Sequence, residues 1–198
     1  MDRFVLWIDA RLRRHAGLFE YSDDARCLFR IARARAQRRI ETPELSIRPG
    51  DPLLELHLWN EHVPPLPPAG ADMRWSASTH RRMVWSLHLL SQALEPGEIF
   101  EDVLALRGIT LLFGAADEEM GRQLARRIGF VLLPYRPALG QFGVFWENFY
   151  TWWLMRTFNK PSVSDRSMFN LDRAEVWMSR ATLLGRYGRS KVATVLRA

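Results

Sequence analysis

Cysteine is almost absent from this sequence, since Cys27 is the single one among 198 residues. One cysteine excludes an intramolecular disulfide and a zinc site built on several thiolates, and it fits a reducing compartment. No apolar run is long enough to cross a bilayer, and FVLWI (4–8), bracketed by Asp2 and Asp9, is too short for a signal peptide. We therefore expect a cytoplasmic protein, and peripheral contact with the inner membrane stays open.

Acidic residues are in mild deficit, with 22 against 28 basic ones, a net charge of +6 and a pI near 10.2. This balance favours an anionic partner, either a small-molecule ligand or a membrane surface. The arginines are dispersed and no recognition motif is present, so we expect no nucleic acid. With 47% hydrophobic and 25% charged residues, the composition indicates a globular chain, which we interpret as a single domain over 1–198.

The first half of the chain alternates between helical and extended patterns. Apolar spacing predicts an amphipathic helix over 3–19. The stretch CLFRIARARAQRRI (27–40) suits a helix by propensity, but its alternating alanines and arginines favour a strand. The turn IRPGDP (47–52) predicts a hairpin between ELSI (44–47) and LLELHLWN (53–60).

The next elements predict the remainder of a core over 26–137. A helix over 76–97 should begin at a Ser or Thr cap and bury a stripe of Met83, Leu87, Leu90 and Leu94. A buried strand follows within 100–114, where Gly108 indicates a bulge or a close approach. A helix ending at Gly129 and the strand FVLLPY (130–135) complete a β-β-β-α-β-α-β order over 28–135. The predicted fold is α/β, with a mixed central sheet, packed helices and flanking N- and C-terminal amphipathic helices.

Residues 138–198 are predicted to form an aromatic helical extension. A helix over 142–158 gathers large aromatic side chains on one face, at Phe145, Trp146, Phe149, Trp152 and Trp153. Such a face serves core burial, pairing of two copies, or contact with a membrane interface. A second amphipathic helix is predicted over 171–188, with Val176, Trp177, Ala181 and Leu184 pointing inward.

The densest chemistry lies in LLELHLWNEH (53–62). Residues two apart on a strand share a face, so Glu55 and His57 lie side by side and are the candidate catalytic residues, as a general base. The same pair with His62 would make a metal site, although the spacing matches no established signature, and we expect no metal. The alternative is a packed strand whose polar groups are hydrogen-bonded.

Other residues are candidate ligand contacts. Asn60 and His62 follow the strand, and Arg81 and Arg82, in what we interpret as a helix start, would join backbone amides in holding an anion. Arg107 lies inside an apolar strand, so it needs a carboxylate or a bound anion as partner. His88, amid SLHLL, is interpreted as a satisfied core histidine.

Several of these segments together resemble the YkoP-like domain. They are RIARARAQRRI, IRPGDPLLELHLWNEHVP, RRMVWSLHLL, LRGITLLF and ARRIGFVLLP, within residues 26–160. That domain occurs alone in bacteria and fused to polysaccharide deacetylases. The resemblance implies a neighbourhood, cell-envelope polysaccharide or lipid metabolism, and no particular reaction.

Residues 53–135 are also similar, more weakly, to the acyl-transferring GNAT fold, in which strand, helix, strand, a helix ending in GF, and strand follow each other. GRQLARRIGF (121–130) resembles that family's penultimate helix. The similarity implies a GNAT-like core and acyl-CoA as ligand. In that family a glycine-rich turn before the first helix binds the coenzyme A pyrophosphate, whereas ADMRWSASTHRRM (71–83) contains no glycine. We therefore expect no cofactor, with acyl-CoA as the alternative.

These observations predict a ligand-binding or accessory protein that binds an anionic small molecule or a membrane surface. One alternative is a divergent GNAT-like acyltransferase with Glu55 or His57 as base, for which a cleft beside the 53–60 strand would argue. The other is an interaction module that dimerises through its aromatic helix. Whether the protein is an enzyme stays open.

Overall fold

The computed structural model describes residues 17–65, 67, 72–110, 118–136 and 173–189. Within them, seven strands and three α-helices follow in chain order: β1 Phe29–Arg35, β2 Ile40–Thr42, β3 Leu45–Ile47, β4 Pro52–Leu58, α1 Met73–Ala93, β5 Ala105–Thr110, α2 Glu118–Ile128, β6 Val131–Pro134, β7 Ala174–Ser179 and α3 Arg180–Tyr187. A short 3-10 helix, Asn60–His62, follows β4.

Five of the strands form one mixed sheet in the order β1-β4-β5-β7-β6. Strands β4 and β5 are parallel, and the other neighbouring pairs are antiparallel. A parallel pair needs a crossover, which α1 supplies between β4 and β5. The mixed sheet with packed helices confirms the predicted α/β class.

The 27–40 stretch confirms the strand interpretation in its first part, because β1 pairs with β4 over its whole length. The predicted hairpin is wrong. Strand β3 pairs with β2 in a separate two-stranded sheet, and β4 pairs with β1 and β5. The IRPGDP turn therefore returns the chain from the small sheet to the large one, and four strands precede α1 where the pattern predicted three.

All three helices pack on one face of the sheet. Leu87 and Leu90 of α1 and Leu94 at its C-cap are completely buried and Met83 packs against them, which confirms the predicted stripe. They meet alternate residues of the central strands and apolar side chains from α2 and α3, among them Ile31, Leu54, Leu106, Met178, Ile128 and Leu183. This layer is the main hydrophobic core.

Helix α1 begins earlier than the sequence indicated. Its first residue is Met73, and the cap is Asp72, whose Oδ1 accepts a hydrogen bond from the Trp75 N–H at 2.6 Å. The prediction of a Ser or Thr cap within 76–79 is therefore wrong. An aspartate serves the same purpose, because its carboxylate satisfies an unpaired amide at the helix start.

The helix predicted over 171–188 is wrong in its first part. Residues 174–179 form strand β7 in the interior of the sheet, between β5 and β6, and only the part from Arg180 onward is helical. Five of the six β7 residues are buried. A strand covered on both faces loses the apolar–polar alternation by which strands are recognised, so its short run resembles one side of a helix. The sheet thus takes a strand from beyond residue 137.

The two glycines singled out in the sequence have the expected positions. A Cβ added at Gly108 would lie 3.1 Å from Val176 Cγ2 and 3.5 Å from Leu56 Cβ, so β5 passes close to its neighbours there. Gly129 has φ +97° immediately after α2, which suits the left-handed end of a helix.

Two predicted segments lie outside the described residues: positions 3–16 of the N-terminal helix, and the aromatic helix over 142–158 with Phe145, Trp146, Phe149, Trp152 and Trp153. The described end of the N-terminal helix, 17–19, is not helical, since Phe19 forms an isolated antiparallel bridge with Ile31, so the prediction is wrong there. Across the part of the chain that the structure describes, none of the helices has the length and apolarity that crossing a membrane requires.

Candidate functional site

The face of the large sheet opposite the helices carries charged side chains. Because alternate residues of a strand point the same way, Glu55 and His57 lie together on this face. The strand register puts Glu55 directly beside Arg107 of β5, and Arg107 beside Trp177 of β7. At one end of this face the small β2–β3 sheet packs against apolar residues, namely Leu53, Ala105 and Trp177.

A chain of ion pairs runs across this face, and we call it the charge chain (Arg38, Glu175, Arg107, Glu55 and His57). Arg107 Nη1 donates to Glu55 Oε1 at 2.8 Å, and Arg107 Nη2 lies 3.4 Å from Glu175 Oε1. The second oxygen of Glu175 accepts from Arg38 Nη2 at 2.9 Å. The two carboxylates and two guanidinium groups cancel in charge, so burial of the chain leaves no uncompensated charge.

Glu175 is the most deeply buried member of the charge chain, with 1% of its side chain exposed. Besides the guanidinium groups it accepts a hydrogen bond from Trp177 Nε1, at 2.9 Å from Oε2. Arg107 also lies over the Trp177 ring, 5.8 Å from its centroid, within the range of a cation–π contact. Strand β7 therefore supplies both the buried carboxylate of the charge chain and the indole ring that Arg107 contacts.

His57 is the exposed end of the charge chain. Its Nε2 lies 3.7 Å from Glu55 Oε2, a distance of electrostatic attraction beyond that of a hydrogen bond. The exposed fractions are 41% for His57 and 32% for Glu55, so solvent reaches both. The His57 side chain first, and the Arg107 guanidinium with it, lower the pKa of Glu55 against the opposing effect of burial. Glu55 is thus an anion near neutral pH.

Two nitrogen atoms of this site have no hydrogen-bond partner among the described residues. They are Arg107 Nε and His57 Nε2, both shielded from solvent. Buried polar atoms in folded proteins are nearly always paired with protein, water or ligand, so an atom without a protein partner is a candidate contact for a ligand. An oxygen atom of a ligand would satisfy Arg107 Nε.

Strands β4 and β5 part beside His57. Among the described residues, their pairing ends at Leu56 and Gly108. Strand β4 continues to Leu58 against β1, and β5 continues to Thr110 against β7. The two strands are not paired with each other beyond this point, and we call this part of the sheet the β4–β5 gap. Leu58 and Ile109 flank it with 44% and 45% of their surface exposed, and His57 is the first β4 residue beyond the last pair.

His62 is not brought together with Glu55 and His57. Its Nδ1 lies 2.8 Å from the Cys27 carbonyl oxygen, and its ring stacks on Trp59 with the centroids 3.7 Å apart. In the described ranges, no group of three or more His, Cys, Asp or Glu side chains could hold a metal ion. Asn60 begins the 3-10 helix that carries His62.

Arg81 and Arg82 do not lie at a helix start. They follow the first residue of α1 by eight and nine positions, so the backbone amides beside them are used within the helix and that basis for an anion site is wrong. Arg82 Nη1 donates to the His62 carbonyl oxygen at 2.8 Å, while Arg81 is exposed. Neither residue joins the charge chain.

His88 is a buried and satisfied core histidine, as predicted. Its Nδ1 lies 2.8 Å from the Tyr187 carbonyl oxygen and its Nε2 lies 2.9 Å from Gln92 Nε2. A carbonyl only accepts, so Nδ1 carries the proton and Nε2 accepts from the amide. This imidazole fixes the end of α3 against α1.

The sequence pattern indicated three members of the charge chain, Glu55, His57 and Arg107. It did not indicate Glu175 or Arg38. Glu175 was hidden because its segment was interpreted as a helix. Arg38 stood in a run of arginines with nothing to distinguish it. One signal was available: a glutamate between apolar residues in AEVWMS needs a partner, as Arg107 does in ALRGIT.

The fold and this face define the class as a mixed α/β domain with helices on one side of its sheet and a partly buried charge chain on the other. The model of the YkoP domain family matches residues 7–187, and the chain belongs to that family. Neither the curated proteins nor the solved structures contain a match to the chain.

Proposed function

We propose that this YkoP domain binds a small molecule at the β4–β5 gap, with His57 as the contact residue and Glu55 as the group that orients it. The observation that carries the proposal is the charge chain, which runs from the buried Glu175 to a half-exposed imidazole where two strands part. Clefts in which charged and titratable groups converge are favoured positions for ligand sites.

The site favours a ligand that offers oxygen atoms. Arg107 Nε is a buried donor without a partner within the described part of the chain, and His57 donates or accepts according to its protonation. The charge chain is neutral when His57 is neutral, so a single local anion is not strongly attracted. The net charge of +6 supports anionic ligands only through long-range attraction.

Family resemblance supplies the first compounds to test. YkoP-like domains are found beside polysaccharide deacetylases, and we propose a role in cell-envelope polysaccharide or lipid metabolism. A chitooligosaccharide tests the polysaccharide side, inorganic phosphate a simple anion, and vesicles with anionic headgroups a membrane surface.

The test is a thermal shift series on the wild type, His57→Gln and His80→Gln. His80 is an exposed histidine of α1 and serves as the matched control. A compound that binds the native state adds about 2.7 kcal/mol of stability at a hundred times its Kd, and this raises Tm. We expect the rise in the wild type and in His80→Gln and its loss in His57→Gln. An equal rise in all three proteins would place binding elsewhere.

Acyl transfer is the second candidate function, favoured by the β4–β5 gap and by the strand–helix order. The order β4-α1-β5-α2-β6 follows that of the GNAT fold, and we propose a GNAT-like core on this basis. In such a reaction His57 would take the proton of an amine or hydroxyl as its nitrogen or oxygen bonds to the acyl carbon. The thioester C–S bond would break, and the sulfur would leave as the thiol with a proton.

The start of α1 argues against coenzyme A as the acyl carrier. The Asp72 carboxylate already accepts from the Trp75 amide there and would repel a pyrophosphate. The assay is release of free thiol from acetyl-CoA in the presence of an amine. Turnover that is lost in His57→Gln and kept in His80→Gln would support this candidate, and absence of turnover in the wild type would remove it for this donor.

Membrane contact and pairing of copies rest on the predicted aromatic helix. We propose them only as alternatives, because Trp152 and Trp153 lie outside the described residues. Co-sedimentation with anionic vesicles that is unchanged in a Trp152→Ala, Trp153→Ala double variant would remove membrane contact. Sedimentation velocity on the same two proteins tests the dimer.

A further inference from the structure

We propose that Glu175 is the positioning residue of this site: it shares the Arg107 guanidinium with Glu55 and so sets how much of the Glu55 charge acts on His57. The inference rests on the proposed function for the use made of His57, but the electrostatic coupling can be measured without any ligand. Glu175 itself is buried beneath the site and does not contact the ligand we propose.

Unequal sharing of Arg107 is the first step. Its Nη1 lies 2.8 Å from Glu55, while its Nη2 lies 3.4 Å from Glu175. Glu175 is held in place by other donors, because both Arg38 and Trp177 reach its Oε2 at 2.9 Å. Arg107 is therefore drawn toward two fixed carboxylates, and its pairing with Glu55 depends on the charge of Glu175.

The consequence for His57 follows from the signs of the charges. If Glu175 loses its charge, Arg107 pairs with Glu55 alone and offsets more of the Glu55 charge. The protonated imidazole is then less stabilised, so His57 binds its proton more weakly. If Arg38 loses its charge instead, Glu175 attracts Arg107 more strongly, Glu55 is left less compensated, and His57 binds its proton more tightly.

The other charged groups near His57 are the same in both cases. Arg30 of β1 is the cross-strand partner of His57 and is itself paired with Glu20 and Glu61. Glu55 lies on the same strand and Arg107 on the neighbouring one. The two opposite shifts therefore report on the far end of the charge chain.

The test is an NMR titration of the His57 ring, with the signal assigned from His57→Gln. We expect the midpoint to fall by about half a pH unit in Glu175→Gln and to rise by a similar amount in Arg38→Gln, as charges several ångströms away in a partly wet site do. Glu41→Gln is the control, because Glu41 is an exposed glutamate of β2 paired with Arg39. In Glu41→Gln the midpoint of the His57 titration should stay at the wild-type value.

Opposite signs separate an electrostatic effect of the two charges on His57 from general loosening of the fold. Shifts of the same sign in both variants, or no shift in either, would overturn the inference. If Glu175→Gln does not fold, Arg38→Gln decides alone, because Arg38 is 31% exposed and lies between β1 and β2. If the His57 midpoint shifts as expected but no compound binds, the electrostatic coupling stands and the proposed function is rejected. If a compound binds at His57 but the midpoint does not shift, the proposed function stands and the coupling is rejected.

Discussion

Replacing Glu55 by Gln removes the carboxylate that faces both Arg107 and His57 while keeping the size of the side chain. Truncating one partner of a buried ion pair costs about 3–5 kcal/mol, and an exposed pair contributes about 0.2–1 kcal/mol. Glu55 is 32% exposed and Arg107 is 19% exposed, so solvent screens part of the interaction. The Gln oxygen still accepts a hydrogen bond. We therefore expect a loss of about 1–2 kcal/mol at pH 7, measured by urea denaturation.

The pH dependence of this loss follows from the lowered pKa of Glu55. A carboxylate whose folded pKa lies below its unfolded value of about 4.3 stabilises the folded state above that pH. The contribution disappears as pH falls through the folded pKa. The stability difference between wild type and Glu55→Gln should therefore shrink below about pH 4.

Glu41→Gln, which breaks the exposed pair with Arg39, is the matched control and should lose less stability. If Glu55→Gln is as stable as Glu41→Gln at pH 7, the Glu55 carboxylate contributes no more stability than an exposed ion pair, and the expected loss is wrong. A loss that persists unchanged down to pH 3 would also refute the reasoning, because the carboxylate charge would then not be its cause.

Three further substitutions test the fold that holds the site. Leu106→Ala should cost about 2–5 kcal/mol of stability in urea denaturation, because Leu106 is fully buried in β5. Leu104→Ala, at a 45% exposed position, should cost much less. Equal losses in the two variants would contradict the assigned core. Ser86→Ala should cost about 1–3 kcal/mol, since Ser86 Oγ accepts the buried Leu28 N–H at 2.8 Å, and exposed Ser76→Ala on the same helix should stay near the wild-type Tm. Gly129→Ala should cost at least about 1 kcal/mol of stability, because Gly129 has φ +97° and an added Cβ would lie only 3.0 Å from Arg186 Cδ. Gly185→Ala inside α3, where an added Cβ meets open space, should be neutral or stabilising. The reverse order of Tm would argue against this helix end.

The fold was predictable where one face of a helix or strand is buried and the other is exposed to solvent. The alternation in 29–35 indicated β1, and the three- and four-residue spacing of α1 indicated its buried stripe. It was not predictable in 174–179, because a strand buried on both faces carries no periodicity. The hairpin was wrong for a different reason: a turn signal fixes where the chain reverses, but not which strands pair afterwards.

The candidate site was predictable in part for related reasons. Glu55 and His57 were found because a spacing of two on a strand places side chains together, and Arg107 was found because an arginine in an apolar run needs a partner. Glu175, the second carboxylate that Arg107 contacts, lies 68 positions from it. Only the strand order brings these two residues together, and strand order depends on tertiary pairing that no local pattern contains. His62 has the residue type of a ligand, but its stacking on Trp59 is a contact that spacing does not show.

The most direct test of the account is histidine-detected NMR of the full chain during titration with a chitooligosaccharide, inorganic phosphate and acetyl-CoA in turn. If a ligand binds at the β4–β5 gap, at least one of these compounds shifts the His57 signal saturably while His80 and His88 keep their positions. The same compound should leave the spectrum of Glu55→Gln less affected, because Glu55 orients the imidazole. Saturable shifts confined to other histidines, or no saturable shift of His57 with any of the three, would contradict a ligand site at the β4–β5 gap.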